Sequence, residues 1–192
     1  METEIRREQI AEAALDIVSK DGVGGLTVRK VAKRIGLSAP ALYRHYASKA
    51  DIILAAVDEH CASQVSLLRR AKRANAPLDV LREFYLSNAE LIKNHKSAIQ
   101  IFISDFFRFG EKRLLDAIDR HRTLMLDELG IVFKAGQERG EIRRDIGVEE
   151  LFVHYLGLII TPDLLYSHRE DYVNMDLQTG AGWLLFEAAV SI

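Results

Sequence analysis

Between Thr27 and Lys49 the chain carries six basic side chains, Arg29, Lys30, Lys33, Arg34, Arg44 and Lys49, and no acid. Such a run suits a polyanion: lysine offers a point charge to phosphate, whereas arginine offers a planar fork that matches guanine O6 and N7. A solvated helix face is the other reading of the same residues. Summed over 192 residues the formal charge is only -2, from 26 basic and 28 acidic side chains, which by itself argues against a nucleic-acid binder. The distribution reverses that. Residues 1–50 hold 9 basic and 6 acidic side chains, leaving 17 basic and 22 acidic for the rest, so a basic head precedes an acidic body.

The elements that must position these cations are helical throughout. Prolines number three, strand-like alternation is absent, and i, i+3, i+4, i+7 spacing recurs, so the fold class is all-α with about nine helices. Ile10, Ala13, Ala14 and Ile17 mark a first helix over about 3–20, closed by Gly22. Thr27 is placed to cap a short second helix that ends at Gly36. Ser38 caps a third, with Pro40 in its first turn and an end near Tyr46. Leu37 and Leu42 are assigned to the core. Ser48 and Asp51 form a capping box that opens a fourth helix running to Arg73. A three-helix head, residues 1–47, thus precedes a helical body, residues 48–192. Body helices are expected at about 77–94, 97–108, 111–139, 147–166 with a kink at Pro162, and 175–190.

Two short helices joined by Ile35-Gly36-Leu37-Ser38 have the build of a helix-turn-helix, whose second helix enters the major groove. The run from Leu26-Thr27-Val28-Arg29 through Ile35-Gly36-Leu37-Ser38-Ala39-Pro40-Ala41-Leu42-Tyr43-Arg44-His45-Tyr46 to Lys49 resembles the DNA-binding signature of the tetracycline-repressor (TetR) family of transcriptional regulators. The resemblance covers about residues 5–58. Farther on it is carried only by helix layout and by Gly136-Gln137-Glu138-Arg139-Gly140-Glu141-Ile142-Arg143.

Each matched position also has a physical reading. Thr27 can offer its hydroxyl and N–H to a backbone phosphate while it caps its helix, and Arg29 projects from the first turn toward phosphate or a base edge. Ala39, Pro40 and Ala41 are small and apolar, suited to thymine methyls, and Arg44 is the candidate for bidentate guanine contact. Tyr43 and His45 match positions that touch backbone or bases, and Tyr46 packs partly into the head. Lys49, at the start of the fourth helix, is placed as a phosphate clamp. Ala39 and Ala41 depart from the polar residues frequent among relatives, so these two read less by hydrogen bonding.

The resemblance further implies a small-molecule effector pocket in the body and a homodimer through the last two helices. Phe102, Phe106 and Phe109 share one helical face and would lie in the pocket wall, accompanied by Tyr85, His95, His121, Met125 and Tyr155. A packed core is the alternative for the same residues. Phe152–Ile160 and Trp183–Val190 carry more apolar surface than one face needs. A two-fold dimer would set two heads about 34 Å apart and call for a palindromic operator in double-stranded DNA.

Cys61 is the lone cysteine, which excludes a disulfide framework and a multi-cysteine zinc site. No secretion signal or membrane span is legible, so a cytoplasmic location is expected. No nucleophile elbow, HExxH or P-loop occurs, and Gly22-Val23-Gly24-Gly25 does not follow a strand, so neither enzyme, cofactor nor metal is expected. His60 and Cys61 are adjacent but diverge by about 100° on a helix. The sequence reading is therefore a ligand-responsive repressor. An all-α enzyme with a metal or acid/base site, or a helical protein-binding adaptor that needs no basic head, are the competing classes.

Overall fold

A computed structural model of the chain describes residues 2–74, 76–94, 112–168 and 174–192. They form eight helices and no strand: α1 Glu2–Gly25, α2 Val28–Arg34, α3 Ala39–Tyr43, α4 Lys49–Ala74, α5 Pro77–Lys93, α6 Lys112–Arg139, α7 Val148–His168 and α8 Met175–Val190. The helix expected at 97–108, and with it His95, Phe102, Phe106 and Phe109, lies outside the described residues. The chain packs as two compact units, Met1–Ala62 with Asn94–His121, and Ser63–Lys93 with Arg122–Ile192.

In the first unit the periodic positions of α1 meet those of α2, α3 and α4. Ala14, Val18, Leu26, Val31, Ala32, Leu42, Ile52, Ile53 and Ala56 are all excluded from solvent, with Leu114 and Ile118 of α6 closing the cluster. Gly22 and Gly36, expected to end helices, and Gly140, which follows α6, all take left-handed backbone with φ near 70°. Gly22 breaks the regular winding of α1, after which one further turn leads to Gly25. At Gly36 the Leu37 N–H donates to the Ala32 carbonyl (2.9 Å) and the Gly36 N–H to that of Lys33 (3.3 Å). This is the paired closure that a left-handed residue makes possible at a helix end. Leu37 itself is only half-buried, so it anchors the turn from its edge and is not a core residue. The third helix also ends earlier than its spacing suggests, with Arg44 as C-cap.

The second unit is organised around Tyr155, which is fully buried. Its hydroxyl donates to the Leu81 carbonyl at 2.5 Å, and its ring packs against Phe84, Phe133 and Phe186 with centroids 5.3 to 6.4 Å away. Pro162 lies inside α7, which continues through it. The Gly136–Arg143 segment has a structural reason. Gly136 lies so close to Ile142 that an added Cβ would come within 2.6 Å of its Cδ1. Gln137 donates to the carbonyls of Arg143 and Ile146, both at 2.9 Å, and the Arg143 N–H donates to Val190 at 2.8 Å. The turn after α6 is thereby fastened to the end of α8.

Candidate nucleic-acid interface

The second and third helices are each held from one side and presented from the other. Thr27 is extended, at φ -136°, and its Oγ1 accepts from the Lys30 N–H at 3.1 Å; Ser38 Oγ accepts from Ala41 N–H at 3.3 Å. Each hydroxyl satisfies one of the N–H groups that a helix start leaves unpaired. Val28, Val31 and Ala32 fix α2 to the core, and buried Leu42, with Ala39 packed beside it, fixes α3. What remains outward is Thr27, Arg29, Lys33, Pro40, Tyr43, Arg44 and His45, all exposed, while Ala39, Ala41 and Lys49 are half-buried.

The six cations do not have equal standing. Lys30 Nζ is 2.9 Å from Asp21 Oδ2, and Arg34 pairs with Asp16, so two charges of the acid-free run are answered by acids of α1. Lys49 Nζ donates to the Val23 carbonyl at 2.5 Å, and burial pulls its pKa below the ordinary lysine value. Arg29, Lys33 and Arg44 make no ion pair among the described residues. These three carry the uncompensated positive charge of the helix-turn-helix. Lys33 stands four residues from Arg29, a spacing that sets both on one helix face.

The first turn of α4 is fixed beside this motif. Ser48 Oγ accepts from the Asp51 N–H at 3.1 Å and donates to Asp51 Oδ2 at 2.9 Å, while Arg113 reaches Asp51 Oδ1 at 3.1 Å. The Ser48 hydrogen bond, assisted by the Arg113 charge, holds the Asp51 carboxyl below the usual carboxylate range. Lys49 therefore starts a well-anchored helix, and two of its three ammonium donors stay open to a phosphate.

Tyr85 and Met125 are buried in the second unit with Tyr155, whereas His121 belongs to the first. Tyr85 stacks on Trp183 at 6.1 Å and borders a cavity of about 10 Å³ with Pro162, Met175 and Thr179, room for about one water. An open cleft of about 830 Å³ lies instead in the first unit, lined by Arg7, Ile10, His45, Tyr46, Leu54 and Asp58. Burial pushes the Cys61 thiol up to about 12 and, with the His121 charge second, pulls His60 down to about 4. Neither is set up as a nucleophile or base at neutral pH. Among the described residues no group of three His, Cys, Asp or Glu side chains could hold a metal, and no helix is long and apolar enough to cross a membrane.

Residues 10–56, which enclose both capped helices and their exposed cations, match the family model for bacterial regulatory proteins of the tetR family. This segment belongs to the TetR family. The tetracycline repressor class A from transposon 1721 of Escherichia coli is 34% identical over 87 residues, 45% of this chain and 38% of that protein. The chain thus spans well under two thirds of that relative. The transcriptional repressor KstR2 of Mycobacterium tuberculosis is 26% identical over 157 residues, 77% of this chain and 74% of the repressor. A crystal structure of a TetR-family regulator from Rhodococcus sp. superposes with a TM-score of 0.78 at 19% identity, covering 98% of this chain and 100% of the other. At this identity that likeness speaks to fold alone.

Proposed function

We propose that this TetR-family regulator is a ligand-responsive repressor that binds a palindromic operator as a homodimer and is released by a small-molecule effector. The observation that carries the reading is the trio Arg29, Lys33 and Arg44, exposed and unpaired on two capped helices. Arg44 reads a guanine edge, Ala39, Pro40 and Ala41 meet thymine methyls, and Thr27, Arg29, Tyr43, His45 and Lys49 hold phosphates and position the helix. Residues 1–47 form the reading head and 48–192 the sensing and pairing body. Its place of action is the cytoplasm, and no residue is assigned to catalysis.

Dimerisation is supported by the outer faces of α7 and α8. Leu177, Leu184 and Leu185 are 67 to 73% exposed at i, i+7, i+8 spacing, and Val153, Leu164 and Leu165 line α7. Gly157 and Gly180 leave open space on these helices. Apolar faces of this kind on neighbouring helices are suited to a second copy. Effector binding in the body would favour one spacing of the two heads over another, and its differential affinity for the two states would weaken operator binding. Titrating effector with and without operator tests that coupling, and equal effector affinities would remove it.

A further inference from the structure

Helix α2 carries four cations as two pairs, Arg29 with Lys33 and Lys30 with Arg34, the members of each pair four residues apart. At 3.6 residues per turn each pair occupies one flank of the helix, and the two flanks are turned about 100° from each other. Val28, Val31 and Ala32 take the side that faces the core. Helix α1 answers only one of the flanks. Asp21 Oδ2 accepts from Lys30 Nζ at 2.9 Å, and Asp16 pairs with Arg34 while also holding Lys20 Nζ at 2.9 Å. Arg29 and Lys33 have no such partner among the described residues. All of these residues belong to the first compact unit.

We propose that Asp16 and Asp21 are specificity-determining residues of the head: they withhold Arg34 and Lys30 from phosphate and so hold down its affinity for DNA of any sequence. The inference rests on the operator-binding reading above. Attraction between cations and phosphates supplies essentially all of sequence-independent binding, whereas operator binding adds base contacts that fix how the head sits. With Arg44 seated on a base edge, Arg29 and Lys33 form the flank assigned to the backbone, and Lys30 and Arg34 are turned away from it by about 100°. On random DNA no base contact fixes the orientation, so a second free flank would serve there as well as the first. The two acids take that flank out of use. A lysine that left Asp21 for a phosphate would leave a bare carboxylate beside the same phosphate, so the acid opposes the contact even when the pair opens. The four side chains are 22 to 50% exposed, and pairs so open to water add little stability. Their effect falls on DNA selection instead.

The test uses the full chain and two duplexes of equal length, one selected by the wild-type protein from a random-sequence pool and one of scrambled sequence, each titrated across a salt series. Asp16→Asn with Asp21→Asn should bind the scrambled duplex at least tenfold more tightly at low salt, and its salt dependence should steepen by about two phosphate contacts per head. Affinity for the selected duplex should rise less than threefold, so the ratio of the two affinities falls. Lys30→Ala should cost less than threefold on the scrambled duplex in the wild type and at least fivefold in the Asp21→Asn background, because only there is the lysine free. Unchanged affinity for the scrambled duplex, equal gains on both duplexes, a loss on either, or the same Lys30→Ala cost in both backgrounds would each overturn the proposal. A wild-type protein that selects no duplex from the pool would instead overturn the operator-binding reading, and this inference with it; one that selects a duplex while its variants keep the wild-type ratio remains a regulator and refutes the role of the two acids.

Discussion

Lys30 Nζ sits 2.9 Å from Asp21 Oδ2, an acid that lies outside the acid-free run and answers one of its charges. Both partners are about half exposed, so the pair adds little stability and acts instead on the charge presented outward. Lys30→Ala is therefore expected to weaken operator binding less than threefold. Arg29→Ala and Lys33→Ala should each cost tenfold or more at low salt and lower the salt dependence by about one phosphate contact. Arg44→Ala should also relax base preference at one position per half-site. Gel-shift titrations of the four variants decide this, and a uniform loss across them would contradict the division.

Gly36 closes α2 with φ +70°, and an added Cβ there would meet nothing within 4 Å. The cost of Gly36→Ala is thus conformational and not steric, about 1 kcal/mol. Urea denaturation should show a loss of that size. Gly182→Ala has the opposite cause, since its Cβ would come within 2.6 Å of Tyr85 Oη, and it should displace the Tyr85 ring from Trp183. Near-ultraviolet circular dichroism would register that repacking.

Leu184 and Leu185 face outward from α8 at 67 and 73% exposure. Leu184→Glu with Leu185→Glu should leave the monomer folded, because neither side chain belongs to the core, but should abolish the dimer in analytical ultracentrifugation. Operator affinity should fall by two orders of magnitude or more as the second head is lost. A double variant that stays dimeric would move the subunit interface elsewhere.

His60 is held neutral to about pH 4, by burial first and the His121 charge second, and burial lowers His121 in the same direction. In the unfolded chain a histidine titrates near 6.5, so as pH falls through 6.5 toward 4 the unfolded state takes up the proton first and stability is lost. For His60 the loss between pH 7 and pH 5 is about 2 kcal/mol. Urea midpoints should fall over that interval in the wild type and fall less in His60→Gln. Equal slopes in the two proteins would contradict the assignment.

Much of the head was legible because its signals are local. Thr27 and Ser38 cap the helices that follow them, and Gly22, Gly36 and Gly140 take the left-handed backbone that ends or breaks a helix; each depends on chemistry within about five residues. The partners of the cations were not legible in the same way. Asp21 lies nine residues from Lys30 and Asp16 eighteen from Arg34, and the Val23 carbonyl that takes Lys49 is 26 residues away. No periodicity encodes those meetings; they follow from how α1 crosses the motif. Gln64 was equally silent, since a glutamine within a helix reads as a surface residue until its burial against Asn88 is known. Tyr155 reads from the sequence as a ligand-facing group, whereas its hydroxyl donates to the Leu81 carbonyl in the packed interior.

Operator titration across a salt series tests the central claim most directly. DNA from the region upstream of the protein's own gene should be bound in preference to random DNA, with log affinity falling linearly against log salt. Two heads that each place at least Arg29 and Lys33 on phosphates give a slope of about -3 to -4. A flat salt response, or equal affinity for random DNA, would contradict the assignment of this chain as an operator-binding regulator.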